Sequence, residues 1–188
     1  MFALIPFPVV LLFTAFLALD LFIFVAWLAS RFIPEHQSGL VIKRFGRALP
    51  PGRLIALDGE AGYQARLLPP GWHWGLWRWR YKVLRVPLVH VPAGEIALVK
   101  SVDGAPMPPG RILAKDVPCD RFQDAEAFLR KGGERGRQIA FLTAGAYRIN
   151  PSLFEVITAK NARAHELDPA LLMVQRVPPE KVGIVTTL

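Results

Sequence analysis

Four tryptophans fall within eight residues, at Trp72, Trp74, Trp77 and Trp79, with Arg78 and Arg80 threaded between them. Such a group can do three things. Aromatic faces can stack on the bases of a single-stranded nucleic acid while arginine neutralises the phosphates. Trp and Arg can sit together at the headgroup level of a membrane, where anionic lipids attract the cations. Or the aromatics can fill a core and leave the arginines in water. Residues 77–83 alternate apolar and basic side chains, which predicts a strand with aromatics on one face and cations on the other. Leu84 then opens a less regular stretch to Val91. The membrane and core uses are compatible, and an apolar segment nearby brings the chain to a bilayer. The membrane-interface set is therefore Arg31, Trp72, Trp74, Trp77, Arg78, Trp79 and Arg80. The alternative is a membrane-tethered binder of nucleic acid or another anion through the basic, aromatic residues 72–85; no nucleic acid is expected as partner.

The other chemistry-bearing residues form no constellation. His36, His73, His90 and His165 are scattered, with no i,i+4 pair and no partner cysteine, so no zinc site is expected. Ser38, Ser101 and Ser152 lack a G-x-S-x-G elbow and read as loop or strand polars. Neither of the glycine-rich nucleotide loops occurs. Asp116, Asp120 and Asp124 could form an acid cluster, but Asp120 reads as a helix cap and the others as solvated charges. Cys119 precedes that helix, whose dipole could activate a thiol; it reads as an inert buried cysteine. As the single cysteine, it leaves no internal disulfide. A tethered hydrolase built on Asp or Cys119 is the weakest reading. No catalytic residue, cofactor or metal is assigned, and the chain is read as no enzyme.

These residues follow a long apolar segment. The chain is 52% apolar, but residues 1–30 hold one charged side chain, Asp20. Residues 9–28 include fourteen Leu, Ile, Val or Phe. At about −0.3 to −0.6 kcal/mol each, these outweigh about +3 kcal/mol for Asp20 near the middle. A bilayer core needs about 20 such residues. A secretory signal would carry early basic residues and a shorter apolar run, so residues 1–30 are expected to be an uncleaved anchor. Asp20 is read as packed or protonated in a helix contact. Residues 31–90 carry ten Lys/Arg against three Asp/Glu. Basic residues beside an anchor favour the cytoplasmic side, which puts residues 31–188 in the cytoplasm.

The elements that position the candidate residues come from a repeat. Residues 33–56 and 91–114 match at an offset of 58: Pro34/Pro92, Leu40/Leu98, Val41/Val99, Gly46/Gly104, Pro-Pro-Gly-Arg from Pro50 and from Pro108, and Ala56/Ala114. Repeats at such periods indicate copies of one supersecondary unit. Each copy predicts a Pro-started strand, a turn at Gly46 or Asp103-Gly104, a rigid Pro-Pro-Gly turn with positive φ at glycine, and a second strand. Asp103-Gly104 is a hairpin signal. A second phrase follows, Leu68-Pro-Pro-Gly in one copy and Leu142-Thr-Ala-Gly in the other. The expected organisation is an anchor at 1–30, units at 31–90 and 91–176, and a third, incomplete unit at 177–188. The second unit carries an insertion at 120–131, read as a helix with Asp120 as N-cap and Gln123 as its partner. Phe122, Ala125, Phe128 and Leu129 would share its inner face, and residues 132–138 would form a mobile loop. Residues 160–167 and a start at Asp168-Pro169 could be helical and stay open.

An anchor followed by a Pro-initiated apolar strand, then the phrase Leu68–His73, then Tyr147-Arg-Ile-Asn-Pro, resembles the stomatin–prohibitin–flotillin (SPFH, band 7) family in its bacterial flotillin-like branch. The resemblance covers about residues 33–188 and implies a single-pass α+β module in a bacterial inner membrane. It implies a non-catalytic scaffold that organises membrane microdomains, forms homo-oligomers and meets other membrane proteins, such as a protease or its client. The family's long Ala/Glu-rich coiled coil has no counterpart here, so the chain is expected to be a fragment or a short variant assembling through its head.

Overall fold

The computed structural model describes residues 7–175, 179, 180 and 182. It is an α+β protein with one long apolar helix and several small sheets. The expected third unit at 177–188 lies almost wholly outside the described residues. The chain divides into two compact units, residues 1–50 with 56–87, and residues 51–55 with 88–188.

The first unit opens with α1 (Phe7–Ala29), a helix of 23 residues. Its side chains from residue 8 to residue 25 are exposed. By length and composition α1 is long and apolar enough to cross a membrane. Then come β1 (Arg31–Ile33), β2 (Gln37–Lys43), β3 (Ile55–Ala56, of which Ile55 is counted with the second unit), β4 (Gly62–Leu68), β5 (Gly71–His73) and β6 (Tyr81–Pro87). One sheet has the order β3-β4-β2-β6, and β1 pairs antiparallel with β5. The central β2 is buried over Ser38–Val41, and its side chains join Ile33, Ala56 and Ala65 in the core.

Residues 77–83 are not one strand. β6 begins at Tyr81 and runs regularly to Pro87, in register with β2 from Lys43↔Tyr81 to Gln37↔Pro87. Residues 78–80 form a turn instead, with the N–H groups of Arg80 and Tyr81 both donating to the Trp77 carbonyl. The alternation of Trp and Arg there is a property of the turn, and the stretch from Leu84 expected to be irregular is strand.

The second unit holds β7 (Val89–Val91), β8 (Ala97–Ser101), α2 (Ala125–Arg130), β9 (Gly136–Leu142), β10 (Gly145–Tyr147) and β11 (Phe154–Ile157). β8 lies between β11 and β9, and β7 pairs with β10. Phe154 meets Phe122 and Phe128 edge-on in the core, Phe128 at 4.9 Å between ring centres, and Phe122 lies tilted to Phe128. Full burial of a Phe side chain contributes about 1.5–3 kcal/mol. Ile157, Ala162 and Leu172 form a second cluster.

The two units share one internal wiring. β1 pairs β5 as Ile33↔Gly71, and β7 pairs β10 as Val91↔Gly145. β2 pairs β4 as Gly39↔Leu68 with a bulge between Leu40 and Ile42; β8 pairs β9 as Ala97↔Leu142 with a bulge between Leu98 and Lys100. The Gln37 N–H donates to the Pro34 carbonyl, and the Glu95 N–H donates to the Pro92 carbonyl. Gly52 and Gly110, after each Pro-Pro, have φ of 82° and 90°.

Three local expectations are corrected. Asp103-Gly104 does not make a two-residue hairpin, because the strands beside β8 are β9 and β11. The Asp103 carboxylate turns inward instead, 2% exposed, and accepts from the N–H groups of Leu54, Ile55 and Gly104. α2 is also shorter than 120–131. Asp120, Arg121 and Phe122 have φ of 49°, 51° and 65°, which right-handed helix excludes. Asp124 is the cap, accepting from the Ala127 N–H at 2.8 Å. The helix closes as a Schellman turn, Gly133 N–H to Phe128 O and Gly132 N–H to Leu129 O. Finally, residues 132–138 are not a free loop. Glu134 is buried and bonded to Arg111 and to the Lys115 N–H, and β9 begins at Gly136. Residues 162–165 and 169–172 are short 3₁₀ turns, the latter capped by Asp168.

Candidate functional site: an arginine and aromatic cluster at the end of the apolar helix

The last carbonyls of α1 have no partners within the helix and must find donors elsewhere. The loop before β6 supplies them. The Leu76 N–H donates to the Ala29 carbonyl at 3.0 Å, and the Arg78 N–H donates to the Leu28 carbonyl at 3.2 Å. Arg78 Nε donates to the Trp27 carbonyl at 3.3 Å, and its guanidinium lies 4.0 Å from the centre of the Trp27 ring. A cation at a helix C-terminus opposes the partial negative charge there, and stacking on Trp adds a cation–π contact. Arg78 therefore ties α1 to the first unit.

Around this junction the expected interface residues separate into groups. Trp72 on β5 sits opposite Phe32 on β1, with ring centres 5.3 Å apart, and Trp74 stacks next to it at 6.3 Å. Trp79 meets Phe45 at 6.3 Å. Phe32, Phe45, Trp72, Trp74 and Trp79 are exposed, each with about half or more of its surface open to solvent. Trp77 differs. It is half-buried, and its carbonyl closes the turn to Tyr81. Arg80 lies 5.7 Å from the Tyr81 ring, while its carbonyl accepts from the Arg44 N–H.

Arg31 is brought to Arg78. The two line a cleft of about 390 Å3 together with Phe32, Val83, Leu84 and Arg85. Burial first, and then the charge of Arg78, lower the pKa of the Arg31 guanidinium. Arg85, Phe32, Phe45 and Trp27 were not singled out from the sequence. Only Arg85 had a local signal, as part of the basic run that continues through β6.

The remaining candidates lie apart. His73 Nε2 is bonded to the Pro69 carbonyl at 2.7 Å, and His165 lies 3.8 Å from Glu155. Cys119 is buried, and desolvation pushes its thiol up, away from reactivity. Among the described residues, no three His, Cys, Asp or Glu side chains are grouped to hold a metal ion.

Comparison of the chain with protein-family models, with curated proteins and with solved structures finds no match.

Proposed function

We propose that the chain is a membrane-anchored, non-catalytic scaffold module of the SPFH or band 7 kind. α1 crosses the bilayer, the exposed aromatic and arginine side chains of the first unit meet the headgroup layer, and the repeated units supply surfaces for self-assembly. The observation that carries this reading is the junction itself. A 23-residue apolar helix, exposed along most of its length, ends against a loop of Trp and Arg that bonds to its final carbonyls. Trp and Arg favour the interface between hydrocarbon and water, and that is the depth at which a spanning helix ends. The basic excess after the helix supports a cytoplasmic position for residues 31–188. Homo-oligomers, and contact with other membrane proteins such as a protease or its client, belong to the same reading.

The test is quenching of tryptophan fluorescence in vesicles whose lipids carry bromine high on the acyl chains. The full chain is expected to be quenched, and Trp72→Phe with Trp74→Phe to lose a clear part of that quenching. Unchanged quenching in that variant would remove the headgroup contact from the account.

The stacked Trp72 and Trp74, with Phe32 tilted against Trp72, also suit a strand of nucleic acid. That alternative predicts binding that falls steeply with salt and is lost with Trp79→Ala and Arg80→Ala.

A further inference from the structure

Three arginines from separate places in the first unit converge on the cleft beside the end of α1: Arg31 from β1, Arg78 from the loop before β6, and Arg85 from β6. Among the described residues none of the three is ion-paired. Each uses one N–H to hold a main-chain carbonyl: Arg31 on Ser30 at 3.1 Å, Arg78 on Trp27 at 3.3 Å, and Arg85 on Phe32 at 3.2 Å. A guanidinium has five N–H donors. These bonds fix the three groups and leave most donors without a protein acceptor.

Like charges gathered without a counter-charge repel one another, and an anion between them reverses the sign of that energy. Guanidinium forks match the oxygens of a phosphate and bond to them in pairs. The carbonyls at the end of α1 would repel an anion, but Arg78 already occupies two of them. Phe32, Val83 and Leu84 give the same cleft apolar walls. Arginine donors against an apolar wall suit a group that is ionic at one end and acyl at the other.

We propose that Arg31, Arg78 and Arg85 form a binding site for the phosphate of an anionic lipid headgroup, at the depth where α1 leaves the hydrocarbon. The proposal rests on the membrane reading above. It adds a chemical selection that the reading does not need, because a scaffold could be anchored by α1 in any lipid.

The experiment is native mass spectrometry of the full chain in a neutral detergent, with phosphatidic acid, phosphatidylcholine or inorganic phosphate added separately. The wild type is expected to retain one phosphatidic acid at least about tenfold more tightly than phosphatidylcholine, the scale of one charge-assisted hydrogen bond. Arg31→Gln, Arg78→Gln and Arg85→Gln should each lower that preference several-fold. Arg85→Lys should keep part of it, and Arg66→Gln, exposed on β4 and outside the cleft, should keep all of it. Arg85 is exposed, so its variants keep the proposal testable if Arg78→Gln disturbs the helix junction. Selection of phosphatidic acid in excess inorganic phosphate assigns the site to lipid. Saturation by inorganic phosphate alone assigns the same phosphate chemistry to a free anion and overturns the lipid source. Equal retention of both lipids by the wild type, or an undiminished preference in the three glutamine variants, overturns the site. Flotation of the wild type with pure phosphatidylcholine vesicles separates the two claims. A chain that floats but shows no preference loses the cleft alone, whereas one that floats with no vesicle loses the membrane reading.

Discussion

Gln64 and Gln138 make the same two hydrogen bonds in the two units. Gln64 Nε2 donates to the carbonyls of Glu60 and Gly62 at 2.9 and 3.1 Å, and Gln138 Nε2 donates to those of Glu134 and Gly136 at 2.8 and 3.0 Å. Each glutamine closes the turn that leads into the strand beside the bulged one. The residues up to Ala56 and Ala114 correspond at an offset of 58, and those from Glu60 and Glu134 at an offset of 74. The insertion that contains α2 lies between, and it lengthens the second unit without changing its pairing. Gln138 is 5% exposed. Gln138→Ala leaves two carbonyls unpaired away from water and is expected to lower stability by about 1–3 kcal/mol, read by thermal unfolding of the full chain in detergent. Gln64→Ala should cost less, because water reaches its site.

Glu60 and Glu134 give the molecule an acid limit. Both carboxyls are held below the ordinary carboxylate range, Glu60 by its own N–H and that of Asp58, and Glu134 first by the Lys115 N–H and then by Arg111. A folded pKa below the unfolded one stabilises the fold above the unfolded value, and that stability is lost as pH falls through the folded value. Stability should therefore hold from neutral pH to about 4.3, the unfolded value for Glu, and decline below it. The double variant Glu60→Gln with Glu134→Gln should be less stable at pH 7 and should lose much of the decline. A decline of unchanged size in that variant would place its cause in other groups.

Asp103 is a buried carboxylate of the second unit that accepts three main-chain hydrogen bonds. Its Oδ2 accepts from Leu54 N–H at 2.7 Å and Ile55 N–H at 2.9 Å, while Oδ1 accepts from Gly104 N–H at 2.8 Å. The carboxylate thus holds Leu54 and Ile55, part of the segment 51–55 that belongs to the second unit although it lies within the first copy of the repeat. Asp103→Ala strips three N–H groups of their acceptor and is expected to cost about 2–4 kcal/mol by thermal unfolding. Asp103→Asn should cost less, since one oxygen remains.

The start of α2 separates two aspartates that look alike in sequence. Asp124 caps the helix, whereas Asp120 is exposed and is bonded only weakly by Gln123 Nε2 at 3.3 Å. Asp124→Ala should destabilise by about 1 kcal/mol, and Asp120→Ala should lie within about 0.5 kcal/mol of the parent. The reverse order would return the helix start to Asp120.

Much of this architecture is written locally and some of it is not. Proline and glycine act on their own neighbourhoods, so Pro34, Pro92 and the Pro-Pro-Gly turns could be placed from their spacing. The apolar run of α1 is equally local. Residues 77–80 misled because alternating Trp and Arg has the period of a strand, while their fold is set by the carbonyls of Trp27 and Leu28, some fifty residues away. Asp103 misled for the same reason: its partners lie 48 and 49 residues back. The capping pattern with Gln123 pointed to Asp120, and the left-handed backbone at 120–122 carries no glycine to announce that the helix starts later. Arg31, Arg78 and the tryptophans stood out by residue type, but their separation into groups and the cleft did not, because Arg31 and Arg85 reach the cleft only through strand pairing.

The account rests on α1 as a membrane-spanning anchor, and alkaline carbonate extraction of membranes carrying the full chain tests that most directly. Carbonate strips proteins held by charge or by partners and leaves those held by a helix in the hydrocarbon. The chain is predicted to stay wholly with the sedimented membranes. Its release into the supernatant would contradict the anchor, and with it the scaffold reading and the arginine cleft as a lipid site.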